Sequence, residues 1–112
     1  MDIKQTNLTL ILLFTAALME AGGDALVRMG LHASTPMVRT VLFLVGAVVL
    51  FGYGYVVNAP AWDFGRLLGV YVVFFFVVAQ ALSWIVFHQR PSTNVLLGGA
   101  FIIVGGIIIS YP

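Results

Sequence analysis

Hydrophobic positions in this chain come in long unbroken runs, without the alternation of a half-buried strand or the one-sided stripe of a surface helix. The runs cover about residues 8–29, 38–57, 67–87 and 95–111, each close to the ~17–25 residues that carry a helix across a bilayer core. Three polar hinges separate them. "LHASTPM" supplies Ser34, Thr35 and Pro36, a helix stop and restart. "NAPAWDFGR" supplies Pro60, Asp63 and Gly65, and "HQRPSTN" supplies Arg90, Pro91 and Ser92, with Asn94 as a candidate N-cap. The pattern predicts one all-α membrane domain over residues 1–112, with four transmembrane helices and antiparallel neighbours in sequence order. Trp62, Trp84 and Tyr111 fall near span ends, as interfacial anchors do.

Composition agrees. Of 112 residues, 62% are hydrophobic and 8% are charged, too little charge to cover the surface of a water-soluble domain. The first run reads as a retained helix: it is too long for a leader, follows a single lysine and lacks a small-x-small cleavage pattern. With no cysteine, disulfide and thiolate chemistry are excluded. A net charge of +1 with no basic run argues against a nucleic-acid partner. His32 and His88 sit in hinges without ligands at metal spacing, no nucleophile–base pair stands out, and the glycine pairs lack a following lysine. Neither enzyme activity, metal nor cofactor is expected.

Charge placement bears on assembly. In a four-span arrangement Lys4 and Arg66 share one side, while Arg28, Arg39 and Arg90 lie on the other. That is almost no positive-inside bias, read either as a weak insertion signal or as insertion both ways with pairing as an antiparallel dimer. Four helices of this size enclose little, so a polar pathway for a solute favours a homodimer. In "NVLLGGAFIIVGGIII", Gly98 and Gly105 lie seven apart, as do Gly99 and Gly106. Such a stripe lets membrane helices approach closely, either in a dimer contact through Gly98 and Gly105 or within one subunit.

The chemistry concentrates in "LMEAGGDALVRMG", where Glu20, Asp24 and Arg28 follow one another at four-residue spacing. Counted from Leu8, Glu20 lies about 18 Å into a core of roughly 30 Å. An ionisable group at that depth costs several kcal/mol unless it lines a cavity or stays protonated. Asp24 is one turn from Arg28, so it is either half of an i,i+4 ion pair or a site residue. Ala16 and Gly23 flank Glu20 at i−4 and i+3 and leave space beside it. Tyr53, Tyr55 and Tyr71 offer hydroxyls and ring faces, and a carboxylate among aromatics suits an organic cation.

The stretches "ALSWIVFHQRPSTNVLLGGAFIIVGGIII" and "ALMEAGGDALVR" resemble the small multidrug resistance family of the drug/metabolite transporter superfamily. Glu20, Gly23 and Arg28 fall on its Ala-x-Glu-x-x-Gly pattern with a basic residue at the end. "GRLLGVYV" is closer to the YnfA-like sister group. The resemblance implies a four-helix antiparallel dual-topology homodimer in the bacterial inner membrane. It also implies exchange of protons for small cationic substrates at the paired Glu20 carboxylates. Tyr71 falls where the family has an aromatic beside the site, and Trp84, of the Ser-Trp pair, counts with Ala16 and Gly23 as site-lining.

Two positions depart from the pattern. The family's third helix carries kink glycines after the aromatic, whereas this chain has Val73, Phe74 and Phe75. The rearrangement is then altered, or carried by Gly65 and Gly69. Asp24 is an additional acid, which adds a second proton site or changes the substrate accepted. Two other readings stay open: a subunit of a lipid-carrier flippase, for which Arg39 and Arg66 would hold the phosphate, and a non-transporting module that assembles with a partner.

Overall fold

The computed structural model describes residues 2–111, which form four α-helices: α1 (Ile3–Leu31), α2 (Pro36–Val57), α3 (Phe64–Phe87) and α4 (Thr93–Ser110). All four are long and apolar enough to cross a membrane. The helices outrun the apolar stretches at their N-termini because their caps are polar. The Asp2 carboxylate accepts the Gln5 backbone N–H at 2.8 Å, so the polar residues 4–7 are already helical. The Thr35 hydroxyl accepts from Val38 N at 3.3 Å, with Pro36 in the first turn. Ser92, not Asn94, caps α4: its hydroxyl accepts from Val95 N at 3.2 Å. Asn94 therefore lies inside the first turn.

Two arginines close helix C-termini. Arg39 donates through Nε to the Gly30 carbonyl at 3.2 Å and through Nη2 to the Ala33 carbonyl at 3.1 Å. Arg66 donates to the Ile109 and Ser110 carbonyls of α4 and lays its guanidinium 4.5 Å from the Trp62 ring centroid. A cation at these ends satisfies orphan carbonyls and complements the helix dipole. At the end of α3, His88 takes a left-handed conformation (φ 57°), and the backbone N–H groups of His88 and Gln89 both return to the Ser83 carbonyl.

Packing runs in the order α2–α1–α3–α4. Apart from Tyr71, the core is built of small and medium residues: Leu13, Ala16, Ala17 and Ala21 of α1, Val57 of α2, and Leu67, Val70 and Val78 of α3. Phe51, Ile85 and Phe101 instead point outward, at 72–81% exposure. This inversion is what a lipid solvent allows, since association there depends on close packing rather than on hiding apolar surface. At the α1–α2 crossing, a β-carbon on Gly23 would stand 2.7 Å from Leu50 and 3.4 Å from the Gly46 carbonyl. On the other side of the bundle, Phe76 and Val73 fill the space that β-carbons on Gly99 and Gly106 would need.

Candidate functional site

Glu20 projects from α1 toward α3, where the Tyr71 hydroxyl donates to its Oε1 at 2.8 Å. Tyr71 is buried at 4% exposure and Glu20 is half-buried, so this bond is partly shielded from competing solvent. A hydrogen bond to a charged group of this kind contributes about 1.5–3 kcal/mol. The Tyr53 ring of α2 lies 5.7 Å from the Tyr71 ring, and Phe75 lies 6.3 Å from it on the other side. Together they border a cavity of about 290 Å³ lined by Glu20, Tyr53, Leu68, Tyr71, Val72 and Phe75. Four of these come from one face of α3, at the i, i+3, i+4, i+7 spacing that stacks side chains along a helix. The result is one carboxylate aimed into a space walled by aromatic faces, an arrangement suited to a cation.

The site residues expected from the sequence divide into groups. Glu20, Tyr71 and Tyr53 come together in this cavity. Asp24 does not join them; it lines a separate cleft one turn along α1. Of its two alternatives, the ion pair with Arg28 is not formed, because Arg28 carries its guanidinium onto the Phe87 ring of α3, 5.5 Å from the centroid. Ala16 and Gly23 do not line the cavity either: Ala16 is wholly buried in the core, and Gly23 is the α1–α2 crossing point. The small residues beside Glu20 thus serve helix approach rather than ligand space. Trp84 is half exposed near the end of α3, with Arg90 stacked 5.1 Å from its centroid. Tyr55 also points outward.

The two glycine pairs of α4 part company. Gly99 and Gly106 face α3 and are buried, whereas Gly98 and Gly105 have no neighbour within 4 Å of where a β-carbon would stand. The residues that sequence reasoning missed are Leu68, Val72 and Phe75. Their signal was their spacing from Tyr71 on the same helix face.

The model for the "Uncharacterised BCR, YnfA/UPF0060 family" matches residues 7–112. Among curated proteins, a UPF0060 membrane protein of Herpetosiphon aurantiacus is 34% identical over 104 residues, covering 90% of this chain and 91% of that protein. One from Nocardia farcinica is 35% identical over 105 residues, covering 92% and 91%. The UPF0060 membrane protein YfjF of Bacillus subtilis is 28% identical over 105 residues, covering 93% and 94%. No solved structure gave a significant match.

Proposed function

This chain belongs to the YnfA/UPF0060 family of multi-pass membrane proteins, and we propose that it is a proton-coupled exporter of small organic cations that works as an antiparallel, dual-topology homodimer. The observation that carries the reading is the Glu20 carboxylate, held by the Tyr71 hydroxyl at 2.8 Å and facing an aromatic-walled cavity within the span. Such a group is costly in a bilayer unless it has a ligand to neutralise it. A proton does so, and so does a cation. Because one carboxylate serves both, binding of either excludes the other, and a conformational change that carries only the occupied site couples the two fluxes.

Each side chain has a defined part. Glu20 supplies the charge, Tyr71 orients it, and the faces of Tyr53, Tyr71 and Phe75 stabilise a desolvated cation. The outward-facing Gly98 and Gly105 give a second copy a place for close helix contact. The near balance of Lys4 and Arg66 against Arg28, Arg39 and Arg90 suits insertion in both orientations. The flippase reading loses support because Arg39 and Arg66, its phosphate-binding candidates, are committed to helix-terminal carbonyls.

The test is transport current in proteoliposomes under a proton gradient. Guanidinium compounds, quaternary ammoniums and amines are supplied as substrates, with Glu20→Gln in parallel. Current with a cation that disappears in the variant supports the reading; current that survives it removes Glu20 from the mechanism. Orientation is tested separately. The chain has no cysteine, so a single cysteine placed in the α1–α2 hinge should react with impermeant reagents from both sides of the membrane.

A further inference from the structure

Three cavities follow one another along the α1–α3 seam. The Glu20 cavity shares Phe75 with a cleft of about 240 Å³ bordered by Asp24, Arg28, Ser83, Phe87 and Gln89. That cleft in turn shares Arg28 and Phe87 with a third cavity that reaches His32 in the hinge. The seam therefore leads from the deep carboxylate to the end of the bundle, with Asp24 as its second acid.

Asp24 is placed as a ligand group would be. It is exposed on the subunit although it lies within the α1 span. Among the described residues its carboxylate has neither a hydrogen-bond nor an ion-pair partner in the subunit; the nearest cation along the helix, Arg28, is held over Phe87. A carboxylate at this position in a bilayer needs a counter-charge. Ser83 and Gln89 supply neutral polar groups opposite it.

From this placement we propose that the Asp24 cleft is a second cation subsite, and that the ligand is a linear dication whose charged ends engage Glu20 and Asp24 across Phe75. The inference rests on the reading of Glu20 as a cation site and specifies what that site accepts. Two acids four residues apart on a helix are separated by about 6 Å along its axis. An extended four-carbon diamine places its ammonium groups at about that separation. Between the acids the wall is the Phe75 ring, which suits a methylene spacer and disfavours a bulky, evenly charged cation.

The test is calorimetric titration of the full chain in lipid nanodiscs with butylamine and 1,4-diaminobutane, for wild type, Asp24→Asn and Asp24→Glu. In the wild type, diaminobutane should bind at least about tenfold more tightly than butylamine. Asp24→Asn should remove that advantage and leave butylamine within about twofold, while Asp24→Glu should keep most of it. Helical content by circular dichroism shows that each variant is folded. A wild type that binds both amines equally overturns the second subsite and leaves Glu20 standing, as does Asp24→Asn weakening both alike. A folded wild type that binds neither amine overturns this inference, while the Glu20 reading stands or falls on the transport test with the other cations.

Discussion

Helix α3 packs against two neighbours in opposite ways. Toward α1 it presents Leu68, Tyr71 and Phe75, and the seam holds a hydrogen-bonded carboxylate and cavities of about 290 and 240 Å³. Toward α4 it presents Val73 and Phe76, which fill the space beside Gly106 and Gly99, while Ile109 closes over Gly69. Arg66 ties the far end of that second seam to the last carbonyls of α4. The first seam has a buried polar contact and room; the second is filled with apolar side chains up to its Arg66 end. Interdigitated apolar packing is lost in discrete steps rather than by gradual deformation. Sliding of α3 against α4 would have to displace these side chains, so the proposed alternation is assigned to the α1–α3 side. The bulky Val73, Phe74 and Phe75, standing where the small multidrug resistance pattern that the chain resembles has glycines, fit this division. Helix α3 runs unbroken from Phe64 to Phe87, and the glycines that allow close approach are on α4 instead.

The largest effect should come from removing the charge of the open seam. Glu20→Gln keeps the shape of the side chain and its capacity to accept from Tyr71, but it can no longer exchange a proton for a cation. Proton-driven current should fall by at least about a hundredfold, a loss of 2.7 kcal/mol or more in coupling, with helical content unchanged. Retained current would mean that the polar seam is not the transport route.

The closed seam should respond to volume rather than to charge. Gly106→Leu places a side chain where Val73 already sits, and overpacking of this kind costs about 1–3 kcal/mol. Gly98→Leu, on the adjacent face of α4, meets no neighbour in the subunit. It should leave the stability of the single chain unchanged and weaken only the pairing of two chains. Detergent-denaturation curves together with crosslinking yields separate the two outcomes. Equal destabilisation by both variants would contradict the assignment of one glycine pair to each face.

A smaller change sharpens the account of the open seam. Tyr71→Phe keeps the ring against Tyr53 and Phe75 and deletes the hydroxyl that holds Glu20 at 2.8 Å. Cation affinity should fall at least about tenfold, the loss of one hydrogen bond to a charged group worth about 1.5–3 kcal/mol. Tyr71→Leu, which also removes the aromatic face, should fall further. If both variants lose the same amount, the ring contributes nothing and the cation-binding wall lies elsewhere.

How much of this was legible in the sequence follows from what each feature depends on. The four spans depend on local hydropathy and were readable from it. Their starts depend on single capping side chains, which is why Ser92 rather than Asn94 begins α4. Glu20 stood out because depth along one helix can be counted from the chain. Its contact with Tyr71 joins residues 51 positions apart; the sequence offers Tyr71 as one of three tyrosines for the site, and only the family resemblance singles it out. The different fates of Gly98 and Gly99 turn on the rotation of α4 about its axis. Adjacent helix positions point about 100° apart, and a seven-residue repeat cannot say which pair faces inward. Asp24 and Arg28 satisfied the spacing rule for an ion pair. Phe87, at the far end of another helix, offered the guanidinium a ring face that no local rule anticipates.

The smallest predicted effect lies at the end of α3, at His88, which lines none of the described cavities and serves as a reference for both seams. His88 is the non-glycine residue with positive φ among the described residues, at 57°. Its left-handed conformation lets its own N–H and that of Gln89 reach the Ser83 carbonyl. A side chain with a β-carbon is disfavoured there by about 1 kcal/mol, whereas glycine is not. His88→Gly should therefore raise stability by about 0.5–1 kcal/mol, while His88→Ala should not, since alanine keeps the β-carbon. Neither substitution touches Glu20 or the α3–α4 interface, so transport per folded protein should be unchanged in both. A stabilised His88→Gly protein with full activity would show that the hinge only terminates α3. Loss of activity in both variants, at unchanged or higher stability, would instead make the His88 imidazole a working part of the mouth of the α1–α3 seam.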